Sequence, residues 1–132
     1  VRVSALEGKR VVIADDDRII RDLLSLRCSK LGLAVDAVDD GASTVATVSR
    51  DQPDLLILDL NLPDFDGFAV LERLATTAPA TPVILLTGSS DEAMQQRCRD
   101  LNVAHVHKDT DSWNNLEPLI RQMLSPPSAQ PA

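Results

Sequence analysis

The sequence predicts a doubly wound α/β domain: a five-stranded parallel sheet with helices on both faces. Three observations carry that expectation. Short apolar runs alternate with helical patterns down the whole chain, at a spacing of roughly 20–28 residues per strand–helix unit. The runs Leu55–Leu58 and Val83–Leu86 are apolar at consecutive positions, as strands covered on both faces must be. No residue pattern recurs from unit to unit, which sets aside a solenoid.

Each element has its own signal. Val11–Ala14 is a β-branched run that stops at Asp15-Asp16-Asp17. A helix follows, with Ile20, Leu24, Cys28 and Leu31 on one stripe, Asp17 as its N-cap and Gly32 as its left-handed stop. Leu33–Val38 reads as a strand with Leu33, Val35 and Ala37 on one face. The turn Asp39-Asp40-Gly41 caps a helix over Ala42–Arg50, whose apolar side is Ala42, Val45, Ala46 and Val48. Pro53 and Asp54 break it before the third strand, Leu55–Asp59. Leu60–Gly67 is a loop, and Phe68, Leu71 and Leu74 mark the third helix. The stretch 77–82, with Pro79 and Pro82, connects to the strand Val83–Thr87, and Gly88-Ser89-Ser90 is the next loop. Asp91–Leu101 carries Met94, Cys98 and Leu101 in one stripe, Val103–His107 is the fifth strand, and Ser112–Leu124 is a helix with Leu116, Leu119, Ile120 and Met123 inward.

Composition narrows the function classes. The chain has 132 residues, 44% hydrophobic and 25% charged, which fits one globular domain. Its net charge of -7 argues against a nucleic-acid surface, which needs clustered Lys and Arg. Its apolar runs are too short for a membrane span, and the first residues lack the apolar core of a secretory signal. With no initiator Met, the chain reads as an excised piece or a trimmed terminus. Cys28 and Cys98 show no metal-ligand spacing and read as buried thiols of a cytoplasmic protein. Of the acidic residues 16 are Asp and 4 Glu, a bias toward caps, turns and hard-cation sites.

Chemistry gathers where strands end. The first strand ends at Asp15-Asp16, the third at Asp59 and the fourth at Thr87, and ligands of open α/β sheets bind beyond those ends, at the switch point of the winding order. With a 2-1-3-4-5 order, the first and third strands are neighbours there. Carboxylates roughly 5 Å apart repel by about 3 kcal/mol per pair at an effective dielectric of about 20. Relief requires a raised pKa or a cation, and a hard divalent ion such as Mg²⁺ suits oxygen ligands. Asp17, Asp39, Asp40, Asp54 and Asp64 read instead as caps and turns.

Four segments together resemble the receiver domain of two-component response regulators, the CheY-like, flavodoxin-like fold: Val-Val-Ile-Ala-Asp15-Asp16, Leu-Ile-Leu-Asp59-Leu-Asn61-Leu-Pro63-Asp-Phe-Asp66-Gly67, Ile-Leu-Leu-Thr87-Gly88 and His105-Val-His-Lys108. The resemblance spans about Lys9–Leu124. It implies an N-terminal extension over 1–8, a receiver domain over 9–124 and a Pro-rich tail or linker remnant over 125–132. It also implies that Asp59 is the phosphoacceptor, taking a phosphoryl group from a sensor histidine kinase or a histidine phosphotransfer protein. Mg²⁺ would be held by Asp15, Asp16, Asp59 and the backbone carbonyl of Asn61, with Thr87 and Lys108 on the phosphoryl oxygens. His105 occupies the switch-rotamer position, and Trp113 is either a packing residue or part of an output surface on the fourth helix, fifth strand and fifth helix. That face is also where a homodimer is expected. The implied protein is a signalling switch rather than an enzyme, with an effector the sequence does not reveal.

The match departs from the family at two places. Asp109 follows Lys108 where the family usually has proline, so either the loop holds a strained cis bond or a trans path places the lysine differently. Asp109 and Asp111 also add negative charge beside the lysine. His105 stands where Tyr or Phe is common, and with His107 it could bind a metal only if a third ligand were present. Two other readings follow: a degenerate receiver that binds partners without phosphorylation, and a haloacid-dehalogenase-type phosphatase with Asp15 as nucleophile and Asp17 as acid/base. The second leaves Asp59 unexplained.

Overall fold

A computed structural model describes residues 6–88, 91–109 and 111–125. The elements alternate throughout: β1 (Arg10–Ala14), α1 (Arg18–Lys30), β2 (Ala34–Val38), α2 (Gly41–Asp51), β3 (Leu55–Asp59), α3 (Gly67–Thr77), β4 (Val83–Thr87), α4 (Glu92–Asp100), β5 (Ala104–His107) and α5 (Ser112–Leu124). All five strands are parallel in one sheet of order β2-β1-β3-β4-β5. Ser89 and Ser90 of the expected loop, and residues 1–5 and 126–132 of the expected extension and tail, lie outside the described residues.

Strand alternation sorts the apolar residues into two cores. Val11, Ile13, Leu55, Ile57, Ile84, Leu86 and Val106 face α1 and α5, where Leu24, Cys28, Leu116, Ile120 and Leu124 meet them. Val12, Ala14, Leu56, Leu58 and Leu85 face the opposite way, against Val48, Phe68, Val70, Leu74 and Cys98 of α2, α3 and α4. The consecutive apolar positions of β3 are thus all buried because both faces are covered. Burial pushes the Cys28 thiol up to about 12, so it serves as a packing group. Leu6, within the expected leading extension, is also buried in the α1–α5 core, and Gly8 N–H donates to the Gly32 carbonyl.

Helix starts follow the aspartates. Asp17, Asp40, Asp66 and Asp91 each accept backbone N–H bonds in the first turns of α1, α2, α3 and α4. Gly32 has φ 91°, the left-handed conformation expected after α1. The inward face of α2 differs from expectation. Ala42 and Ala46 are exposed, whereas Gly41, Thr44, Thr47 and Val48 are buried. Thr44 can face inward because its hydroxyl donates to the Asp40 carbonyl at 2.7 Å, leaving only its methyl to pack. Leu101 is likewise not inward: it is the C-cap of α4 and 52% exposed, since the helix ends before a further turn can carry it to the sheet. Ala37 is exposed because β2 is an edge strand, and its residues are at most half-buried. Among the described residues no helix is long and apolar enough to cross a membrane.

The α2 geometry makes a stability prediction. Ala46→Gln should change the urea-unfolding free energy by no more than about 0.5 kcal/mol, whereas Thr44→Gln should cost about 1–3 kcal/mol by overpacking. The reverse order would place the helix on the face expected from its alanines.

Candidate functional site

β1 and β3 run side by side, so their ends deliver carboxylates to one spot. Ala14 is in register with Leu58, and Asp15 and Asp59 follow them. Asp15 is fully buried and Asp59 is 2% exposed, while Asp16 is exposed at the mouth. One carboxylate oxygen from each of the three lies within 4.8 Å of the others. Asp15 is held from both ends: its N–H donates to the Val38 carbonyl, its own carbonyl accepts from Arg21 Nη1 at 2.9 Å, and its Oδ1 accepts from Asp17 N–H at 2.8 Å. Asp59 Oδ1 accepts from Asn61 N–H at 3.2 Å, which fixes the carboxylate against the start of the following loop.

Lys108 enters from beyond β5. Its N–H donates to the Thr87 carbonyl at 2.8 Å, and its Nζ lies 2.9 Å from both Asp59 Oδ2 and Asp15 Oδ2. The contact to Asp59 is a hydrogen bond. The contact to Asp15 is an ion pair with poor hydrogen-bond alignment, so the buried Asp15 Oδ2 has no hydrogen-bond donor. The Lys108–Asp109 peptide is trans, and the lysine nevertheless reaches the carboxylates.

The electrostatics follow from this burial. Desolvation raises the Asp59 pKa above the usual carboxylate range, and the Asp15 charge adds to the rise, while Lys108 and the Asn61 N–H oppose it. For Lys108, desolvation would lower the pKa, but the neighbouring carboxylates of Asp15 and Asp59 outweigh it and the pKa is raised. The pocket is therefore short of positive charge even with the lysine in place. A buried oxygen without a donor beside two further carboxylates fits a hard divalent cation with oxygen ligands.

The other expected residues fall around this pocket. Thr87 is buried at the end of β4. Thr87 and the half-buried His105 line one cavity of about 260 Å³ with Gln95, His107, Asn115 and Leu119. Among the described residues the only cluster suited to a metal is the aspartate one, so His105 and His107 do not form a second. His107 Nδ1 instead pairs with Asp109 Oδ2 at 3.1 Å, and the Asp111 N–H donates to Asp109 Oδ1 at 2.8 Å, so both oxygens of the carboxylate beside Lys108 have partners. Trp113 is half-buried, packs against the α1–α5 core and has the Arg27 guanidinium 5.6 Å from its ring centre. Gly67 opens α3 where a Cβ would meet the Leu60 Cα at 3.1 Å and the Asp59 carbonyl oxygen at 3.2 Å. A second cavity, of about 1070 Å³, lies between α3, α4, β5 and the C-terminal end of α5 and shares His105 with the smaller one.

Sequence reading missed one supporting contact. Asp64 accepts from the N–H groups of Gly41 and Ala42 at 2.7 and 2.9 Å, tying the loop after Asp59 to the start of α2. Backbone bonds from Gly41, Ala42 and Phe65 outweigh desolvation and hold its carboxyl below the usual range. No local pattern marks it, because the partners lie more than twenty residues away.

Fold and site together define a parallel α/β domain with an acidic pocket at the switch between its first and third strands, closed by a lysine from the fifth. The sequence model of the response regulator receiver domain matches residues 11–115, and the chain belongs to that family. It is 33% identical over 111 residues to the probable transcriptional regulatory protein TcrX of Mycobacterium tuberculosis, covering 84% of this chain and 47% of that protein. The chain thus spans about half the length of that curated relative. The non-phosphorylated receiver domain of HemR from Leptospira biflexa superposes with a TM-score of 0.81 at 20% identity, covering 95% of this chain and 99% of that one. TrrA of Thermotoga maritima, solved in complex with Mg²⁺ and BeF, gives 0.78 at 23% identity over 87% of this chain and 98% of that one. These two likenesses establish the fold.

The raised Asp59 pKa has a consequence for stability. The unfolded chain gives up this proton more readily than the folded one, so stability is lost as pH rises from the ordinary carboxylate range through the raised value. Asp59→Asn removes that loss. In chelator at neutral pH its thermal midpoint should exceed that of the wild type, and the gap should close below about pH 4. A lower midpoint at neutral pH would contradict the assignment.

Proposed function

We propose that the chain is a phosphorylatable switch that accepts a phosphoryl group on Asp59 from a sensor histidine kinase or a histidine phosphotransfer protein. The observation that carries this reading is the meeting of Asp15, Asp16 and Asp59 within 4.8 Å, with Lys108 Nζ 2.9 Å from two of them. An Asp59 carboxylate oxygen attacks the phosphorus of the donor phosphohistidine. The new O–P bond forms as the P–N bond breaks, and the departing imidazole takes up a proton. Asp15, Asp16, Asp59 and the Asn61 backbone carbonyl would hold Mg²⁺. When bound, that ion supplies charge neutralisation at the phosphoryl oxygens. Lys108 pairs with a second phosphoryl oxygen, leaving Asp15 and Asp59 to do so, and the Thr87 hydroxyl donates to a third. The small cavity that Thr87 shares with His105 supports a coupling between them, so that phosphorylation shifts two pre-existing arrangements of the face formed by α4, β5 and α5.

The same reading gives the chain's organisation and setting. Residues 9–124 form the receiver, 1–8 precede it and 125–132 follow as a linker or tail. It works in the cytoplasm, where histidine kinases present their phosphohistidine. Its effector is a further domain or protein, and α4, β5 and α5 are the face for contact with it or with a second copy of the chain. Its role is that of a phosphoacceptor rather than an enzyme acting on other substrates.

Incubation with acetyl phosphate and Mg²⁺ tests this directly. Intact-mass measurement should show one phosphoryl group on the wild type, none with chelator and none on Asp59→Asn. Beryllofluoride with Mg²⁺ should perturb the NMR signals of Thr87 and His105 in the wild type. Absence of any Mg²⁺-dependent change would leave a receiver that binds partners without phosphorylation.

A further inference from the structure

We propose that His107 and Asp109 form a positioning clasp for Lys108, fixing the lysine's backbone so that Nζ stays over Asp15 and Asp59. The catalytic meaning of the clasp rests on the phosphoacceptor reading above.

Lys108 is the first residue beyond β5, where the sheet no longer dictates the backbone. On one side it is anchored through its N–H to the Thr87 carbonyl at 2.8 Å. On the other side Asp109 supplies three contacts. Its Oδ2 pairs with His107 Nδ1 at 3.1 Å, its Oδ1 accepts from Asp111 N–H at 2.8 Å, and its carbonyl accepts from Ser112 N–H at 3.2 Å. One side chain thus bridges the last residue of β5 and the entry to α5, spanning Lys108. The fifth helix makes no use of its own cap, since Asp111 forms no side-chain cap bond, so the Asp109 contacts are what define this turn.

The clasp also settles which anion Lys108 meets. Asp109 is the adjacent carboxylate, and with His107 and the Asp111 N–H occupying both of its oxygens it does not draw Nζ out of the pocket. The groups around His107 are Asp109 and Lys108 on its own segment, Gln95 from α4 and Asn115 from α5, with Asp111 at the entry to α5; among these described residues Asp109 is the carboxylate paired with it. The His107 and Asp109 side chains are 44% and 46% exposed, so the pair adds little to global stability. Its effect is local direction, and transfer rates depend steeply on such placement.

Two readouts on the whole chain test the clasp. The first is the hydrogen-exchange protection of the Lys108 backbone amide, followed by NMR, which requires no phosphorylation. The second is the rate of phosphorylation by acetyl phosphate with Mg²⁺. His107→Ala and Asp109→Ala should lower the protection of the Lys108 N–H by about tenfold and slow phosphorylation by about tenfold, with the thermal midpoint nearly unchanged. His107→Gln keeps an N–H donor and Asp109→Asn keeps an acceptor for Asp111, so both should retain most of the protection and of the rate. Alanine variants whose Lys108 amide and reaction rate match the wild type would overturn the clasp, as would conservative variants impaired as severely as alanine. If the wild type itself takes up no phosphoryl group, the phosphoacceptor reading fails, and the Lys108 amide protection still decides the clasp.

Discussion

Two buried carboxylates share one ammonium at the end of the sheet, and much of the molecule is arranged to make that tolerable. Asp15 and Asp59 lie at the ends of neighbouring strands with almost no exposure, so neither can dissipate its charge into water. The compensating lysine comes from the far side: β5 is separated from β3 by β4, and Lys108 reaches back across it. That span ties edge to centre. The Lys108 N–H on the Thr87 carbonyl, the register of β4 on β5 and the turn into α5 must all hold for the ion pair to form. Burial first, and then the Asp15 charge, raise the Asp59 pKa, while the two carboxylates raise that of Lys108; one ammonium serves both and is too poorly aligned for Asp15 Oδ2. A site in this state favours whatever brings more positive charge to its oxygens, and it holds a cationic group ready for an incoming anion.

What could be read from the sequence, and what could not, divides by the range of the interaction. Strands covered on both faces must be apolar at every position, so Leu55–Leu58 and Val83–Leu86 announce themselves, and the alternation of units then implies a parallel sheet with right-handed crossovers. The carboxylates were legible for the same reason, since a charge directly after such a run has to be accounted for. The α2 face was misread because hydrophobicity ranked Ala42 and Ala46 above Thr44 and Thr47. A threonine whose hydroxyl is satisfied by the preceding turn packs as well as a small apolar residue, and that bond is invisible until the turn exists. Asp64 on α2 depends on partners more than twenty residues away, whereas Arg21 on the Asp15 carbonyl and His107 on Asp109 are near in sequence and form only once the chain turns beyond the strand ends. Pro118 is the opposite case: it sits inside α5, where it removes a helical donor, and the helix persists because Leu116, Ile120 and Leu124 are buried around it.

The aspartate bias acquires a spatial meaning from the topology. In a parallel sheet with crossover helices, every strand ends and every following helix begins at the same edge. Asp15, Asp16 and Asp17 lie between β1 and α1, Asp39 and Asp40 between β2 and α2, and Asp59, Asp64 and Asp66 at the end of β3 and in the loop to α3. Asp91, Asp109 and Asp111 occupy the two remaining connections, so eleven of the 16 aspartates share one rim. Asp17, Asp40, Asp66 and Asp91 cap helix N-termini, where free N–H groups and the positive end of the dipole offset their charge. Asp15 and Asp59 have no such helix start of their own and are buried besides. The same short carboxylate therefore serves as a cap wherever a helix begins beside it, and is left without that compensation where a strand end encloses it with another of its kind. Burial and the missing cap, rather than residue type, separate Asp15 and Asp59 from the capping aspartates.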